Sequence, residues 1–151
     1  MENRQNLPHL VRELMSVGVP TCALETPCTE LARAFLEKGW EAVIVLDENG
    51  HGAGFVSRTE LALAFAFGKD QQATAEQIMR PEIAKVPPDI PLQAAVQLML
   101  DKGVRAVYMV HHAGGIEYPA AWMTFDHILR LIAASTPDEL SDLGIKASRK
   151  A

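Results

Sequence analysis

Residues 27–46 read Pro-Cys-Thr-Glu-Leu-Ala-Arg-Ala-Phe-Leu-Glu-Lys-Gly-Trp-Glu-Ala-Val-Ile-Val-Leu. Residues 91–110 repeat the plan as Pro-Leu-Gln-Ala-Ala-Val-Gln-Leu-Met-Leu-Asp-Lys-Gly-Val-Arg-Ala-Val-Tyr-Met-Val, at an offset of 64. In both copies a proline suits the first turn of a helix, where a missing N–H costs nothing. Thr26 is the expected N-cap of the first helix, whereas Ile90 is a poor cap for the second. Leu31, Ala32, Phe35 and Leu36, and likewise Ala95, Val96, Met99 and Leu100, form one apolar helical stripe. Lys38-Gly39 and Lys102-Gly103 close the helices, a cation in the last turn and then a residue able to take positive φ. The runs Ala42-Val43-Ile44-Val45-Leu46 and Ala106-Val107-Tyr108-Met109-Val110 are short, partly β-branched and bounded by turn signals, so they read as buried strands.

The repeat extends outward in both directions. Met15 corresponds to Met79 at the same offset, while Ser57 corresponds to Thr124 and Leu61 to Ile128 at an offset of 67. Three extra residues therefore fall within residues 111–119, where His111-His112-Ala113-Gly114-Gly115 is expected to form the turn. Asp47-Glu48-Asn49-Gly50-His51-Gly52 is the turn of the first copy. Second strands are expected over residues 53–56 and 118–123. Helices follow over residues 58–67 and 125–134, with Ser57 and Thr124 as N-caps. Each copy thus reads strand–helix–strand–strand–helix, an α/β fold. The divisions are residues 8–68, a linker over 69–74, residues 75–135, and a terminal segment over 136–151 with a short helix after Pro137.

The remaining chemistry is spare. The chain has 151 residues, of which 48% are hydrophobic and 22% charged, enough to bury a core. A formal charge of −5 argues against nucleic acid as a partner, and the basic tail Lys146-Ala147-Ser148-Arg149-Lys150 reads as a solvated end. Cys22 and Cys28 show no Cys-x-x-Cys spacing, so free thiols, a reducing compartment and a cytoplasmic location are expected. No signal peptide or membrane span is expected. No Gly-x-Ser-x-Gly, His-Glu-x-x-His or Gly-x-x-x-x-Gly-Lys motif occurs, and neither catalysis nor a metal site is expected. Trp40 and Trp122 read as core or interface, and the methionines at 15, 79, 99, 109 and 123 fall on apolar positions and read as core. Cys28, beside a helix start, reads as a small buried residue before it reads as a redox sensor.

The doubled order of these features resembles a pair of cystathionine β-synthase (CBS) domains, a Bateman module. The carrying residues are the turns Val11-Arg12-Glu13-Leu14-Met15 and Ala75-Glu76-Gln77-Ile78-Met79-Arg80-Pro81 and the two Pro-led helices ending in Lys-Gly. To these add Gly54-Phe55-Val56-Ser57-Arg58-Thr59-Glu60 and Ala121-Trp122-Met123-Thr124-Phe125-Asp126-His127, altered forms of the family's Gly-hydrophobic-hydrophobic-Ser/Thr-x-x-Asp pattern. The resemblance implies two βαββα repeats packed as a pseudo-two-fold module. It also implies an adenosine-containing ligand such as AMP, ADP, ATP, S-adenosylmethionine, NAD or a cyclic dinucleotide, bound in the clefts between the repeats. The implied ligand residues are Ala42, Ile44, Ser57, Arg58 and Glu60 in the first repeat, and Ala106, Tyr108, Thr124 and His127 in the second. In the family's pattern the acidic residue holds ribose hydroxyls and the Ser/Thr meets phosphate. Glu60 keeps a carboxylate on a longer arm, His127 has none, and adjacent Asp126 points about 100° away on a helix. Tyr108 either stacks on an adenine or fills the cleft. Two functions stay open: a sensor that passes its state to a separate protein partner, or a degenerate pair serving dimerisation or docking. The stretch Leu61-Ala62-Leu63-Ala64-Phe65-Ala66-Phe67 is apolar on every side of a helix, so a homodimer is expected.

Overall fold

The structure, a computed structural model, describes residues 4–145; the basic tail, read above as a solvated end, lies outside the described residues. In chain order the elements are α1 (Val11–Leu14), β1 (Ser16–Val17), β2 (Thr21–Ala23), α2 (Cys28–Lys38), β3 (Ala42–Leu46), β4 (Gly52–Ser57), α3 (Arg58–Ala66), α4 (Ala75–Ile78), α5 (Leu92–Lys102), β5 (Ala106–Ala113), β6 (Ile116–Thr124), α6 (Phe125–Ala133) and α7 (Pro137–Asp142). No helix among the described residues is long and apolar enough to cross a membrane.

The chain forms two compact units. The first-repeat unit holds residues 18–83 and 110–120; the second-repeat unit holds the chain up to Val17, residues 84–109 and the chain from Ala121 onward. Each unit therefore includes the helical turn that precedes the other repeat in sequence. In the first-repeat unit, α4 is tied down by N–H groups of Ala75 and Glu76 donating to the carbonyls of Thr26 and Leu24. In the second-repeat unit, Val11 and Arg12 donate in the same way to Ile90 and Pro88.

The first-repeat unit carries the sheet β2-β3-β4, with β2 parallel and β4 antiparallel to β3. Val43 and Val45 alternate on β3 with Ala42 and Ile44, so the two sets face opposite sides. Val43, Val45 and Val56 are fully buried against Leu31 and Phe35 of α2, with Trp40 set edge-on to Phe35 at 5.9 Å. The second-repeat unit carries the sheet β1-β6-β5. There the expected first strand shrinks to a single bridge, Lys85 with Tyr108. Pro87 and Pro88 follow at once, and neither has an N–H to extend a ladder.

Two local expectations need correction. Pro27 and Pro91 are N-cap residues with extended backbone, and helix begins one residue later. Thr26 consequently caps nothing; its hydroxyl accepts from the Ala23 N–H at 3.2 Å. His111 and His112 lie on β5, which runs to Ala113, so the turn is confined to Gly114-Gly115. The extra residues lengthen the strands of that hairpin. The αL closures by Gly39 and Gly103, at φ of 66° and 63°, stand as expected.

Candidate functional site

In the first-repeat unit the antiparallel register sets Ala42 opposite Ser57 and Ile44 opposite Phe55. Directly opposed residues share a face, so these four occupy the side of the sheet away from α2. All four are buried. The segment Met79-Arg80-Pro81 lies along β4, with N–H to carbonyl bonds of 2.9 Å in both directions between Phe55 and Arg80. Gly54 makes that approach feasible: a Cβ there would stand 2.5 Å from the Arg80 carbonyl oxygen and 2.8 Å from the Met79 sulfur.

β4 hands directly to α3 at Ser57. Its hydroxyl accepts from the Thr59 N–H at 3.2 Å and donates to Glu60 Oε1 at 2.5 Å. The Ser57 N–H donates to the same Oε1 at 2.7 Å. This is a capping box, and it holds a carboxylate only 4% exposed at the positive end of a helix. Both bonds use Oε1; among the described residues no donor meets Oε2. Arg58 is exposed and donates from Nε to the Trp40 carbonyl at 3.1 Å. That bond draws it toward the end of α2, while its neighbours Ser57 and Glu60 turn inward.

The second-repeat unit builds the equivalent place differently. Thr124 caps α6, and its N–H donates to His127 Nδ1 at 3.0 Å. Its hydroxyl stands 3.0 Å from the same nitrogen. Nδ1 is therefore an acceptor, the ring proton sits on Nε2, and Nε2 lies 2.8 Å from Ser16 Oγ of β1. Burial pushes His127 below the ordinary histidine range, with Asp126 pulling up and Arg130 pushing further down. Asp126 itself points away, paired with Arg130 at 2.7 Å. Tyr108 is 1% exposed and stacks on Trp122 at 6.2 Å, and Ala106 is buried beside it in β5. The Tyr108 hydroxyl has no hydrogen-bond partner among the described residues. Burial pushes its phenol well above the ordinary range.

Other candidates fall into place. Cys22 and Cys28 are free thiols. Burial raises Cys28 above the ordinary thiol range and Cys22 to about 11, so neither is an activated thiolate. Met99 and Met123 are fully buried, whereas Met15, Met79 and Met109 are half-buried. His112 stands 3.6 Å from Glu117, and His111 lies edge-on to Tyr118 at 5.6 Å. No cluster of three or more metal-ligating side chains occurs among the described residues. Sequence reasoning missed Ser16, whose hydroxyl meets His127, and Arg80, whose backbone pairs with Phe55. The available signal was their shared place, each directly after the methionine that ends a repeat's opening turn.

The fold has counterparts among solved structures. The CBS domain pair of protein MJ0100, in complex with 5′-methylthioadenosine and S-adenosyl-L-methionine, superposes with a TM-score of 0.69 at 22% identity, covering 82% of this chain and 99% of that one. The CBS-domain containing protein ATU1752 from Agrobacterium tumefaciens gives 0.74 at 17%, covering 85% and 96%. A conserved protein from Pyrococcus horikoshii gives 0.73 at 14%, covering 87% and 97%. At such identities the shared property is the fold. No curated protein matches the chain by sequence. The profile of the CBS domain matches twice, at residues 11–66 and 75–133, and the chain belongs to the CBS domain family.

Proposed function

We propose that the chain is a non-enzymatic regulatory module whose first-repeat unit binds an adenosine-containing ligand and whose ligand state is read by a separate protein. One observation carries this reading. Glu60 spends Oε1 on the Ser57 cap and keeps Oε2 without a donor, at the end of a buried apolar sheet face. A carboxylate so held is preorganised to accept from a ribose hydroxyl, and charge-assisted bonds of that kind are the strong ones. The complex of the MJ0100 pair with two adenosyl compounds supports the ligand class. A ligand shifts such a module only by its differential affinity for the module's two states.

A second reading is favoured by the second-repeat unit. There the equivalent positions are taken by the protein's own side chains, Tyr108 on Trp122 and His127 between Thr124 and Ser16. On that reading the pair serves dimerisation or docking without a small ligand.

A thermal-shift panel of AMP, ADP, ATP, S-adenosylmethionine, NAD and cyclic dinucleotides separates the two. A ligand at 100 times its dissociation constant adds about 2.7 kcal/mol, a rise of roughly 5–10 °C for a chain of this length. Glu60→Gln keeps an acceptor for the Ser57 donors and replaces Oε2 with an amide, so the shift should vanish while the unliganded melting temperature stays close. A flat panel at millimolar concentration would sink the sensor reading in favour of docking.

A further inference from the structure

The internal repeat makes each unit a template for the other. In the second-repeat unit Ser16 pairs with Trp122 across the β1–β6 ladder, and its hydroxyl reaches His127 at 2.8 Å. In the first-repeat unit the same positions, by the offsets of 64 and 67, are Arg80, Phe55 and Glu60. Arg80 and Phe55 are again an antiparallel bridge. The backbone therefore sets Arg80 at the position relative to Phe55 and Glu60 that Ser16 holds relative to Trp122 and His127.

Arg80 nevertheless does not close onto Glu60. Its guanidinium lies over the Phe55 ring, 5.2 Å from the centroid. Neither residue forms an ion pair among the described residues. A half-buried guanidinium is thus held on the face of Phe55 with its N–H groups unspent, two residues along the strand from the Ser57 that holds Glu60 and its unspent oxygen. Arg58, the cation that the sequence pattern put forward, is meanwhile tied to the Trp40 carbonyl. A carboxylate and a cation on one sheet face present an acceptor for a diol and a forked donor for an anion.

Resting on the reading of this sheet face as a ligand site, we infer that Arg80 is its specificity-determining residue and selects adenosine compounds carrying a 5′-phosphate. The cation–π seat on Phe55 orients the guanidinium without neutralising it, which leaves the phosphate to do so.

Calorimetric titration of the full chain with adenosine, 5′-methylthioadenosine and AMP tests this. The wild-type protein should bind AMP at least tenfold more tightly than either uncharged nucleoside, and added salt should narrow the gap. Arg80→Gln should reduce that preference by roughly 10- to 100-fold, the value of a charge-assisted hydrogen bond, and leave adenosine affinity in place. Arg80→Met, which keeps an unbranched stem on Phe55, should behave the same way and separates loss of charge from loss of packing. Glu60→Gln should weaken all three ligands alike. AMP binding with an unchanged preference in both Arg80 variants would overturn this inference and leave the ligand site standing. Failure of all three ligands to bind wild-type protein would overturn this inference, while the wider panel above decides the ligand reading separately.

Discussion

His127 makes a quantitative prediction about acid. Its Nδ1 accepts the Thr124 N–H at 3.0 Å, and the ring is 7% exposed. A proton added to Nδ1 faces that N–H donor directly. The cap bond is lost and a buried donor is left without an acceptor, which costs about 1–3 kcal/mol. The unfolded chain takes up this proton near a pH of ~6.5. The folded chain takes it up only at lower pH, because burial disfavours the charged ring. Between those values the unfolded state holds more protons, so stability falls as pH falls. The contribution is complete above about pH 6.5, is lost as pH drops toward the lowered native value, and levels off below it. For a chain of this size the loss corresponds to roughly 2–12 °C in melting temperature. The assay is thermal unfolding from pH 7.5 to 5 of the wild-type protein and of His127→Gln. Glutamine at this position completes a capping box and does not titrate. The other four histidines are common to both proteins, so the difference between the two curves isolates His127. Parallel curves across that range would refute the assignment of Nδ1 as acceptor and the linkage built on it.

Gly54→Ala should destabilise the first-repeat unit, since its Cβ would sit 2.5 Å from the Arg80 carbonyl oxygen and must push the 79–81 segment off β4. A loss of about 1–3 kcal/mol is expected in urea unfolding, and an unchanged midpoint would show that this approach is not fixed. A homodimer is expected from apolar helix surface in each unit: Phe65 of α3 is 74% exposed and Leu129 of α6 is 62% exposed. Sedimentation of Phe65→Glu and of Leu129→Glu should show monomer where the wild-type chain shows dimer, and a wild-type monomer at micromolar concentration would remove the expectation.

What the sequence discloses here follows the range of the forces involved. Helix ends, strand runs and caps are set by neighbours in the chain, and the Lys-Gly closures, the Ser57 cap and the apolar run of residues 42–46 are local in that sense. The one-residue error at Pro27 and Pro91 is local too: extended backbone at proline serves an N-cap as well as it serves a first turn. His111 and His112 fall on a strand and not in the expected turn, because a Gly-Gly pair marks a turn without saying how far its strands run. The site divides along the same line. Ser57 with Glu60, and Thr124 with His127, are three residues apart and could be paired on paper. Their partners could not be found that way, because Ser16 reaches His127 across 111 positions of chain.

The repeat is the one device by which sequence speaks about such long-range contacts. Once a geometry is seen in one unit, the offset names the residues at the equivalent positions in the other. It also shows where the two copies have parted. One unit set a hydroxyl and an imidazole against each other and closed the contact. The other placed an arginine and a glutamate there, the pair most able to close, and the arginine lies instead on Phe55. In water such a pair gains little from closing. At a buried helix start it would gain more, were Glu60 not already neutralised in part by two donors and the helix end. The Ser57 cap fixes α3 on the strand, and on the inference that Arg80 serves a ligand it also weakens the pull that would fold Arg80 onto Glu60.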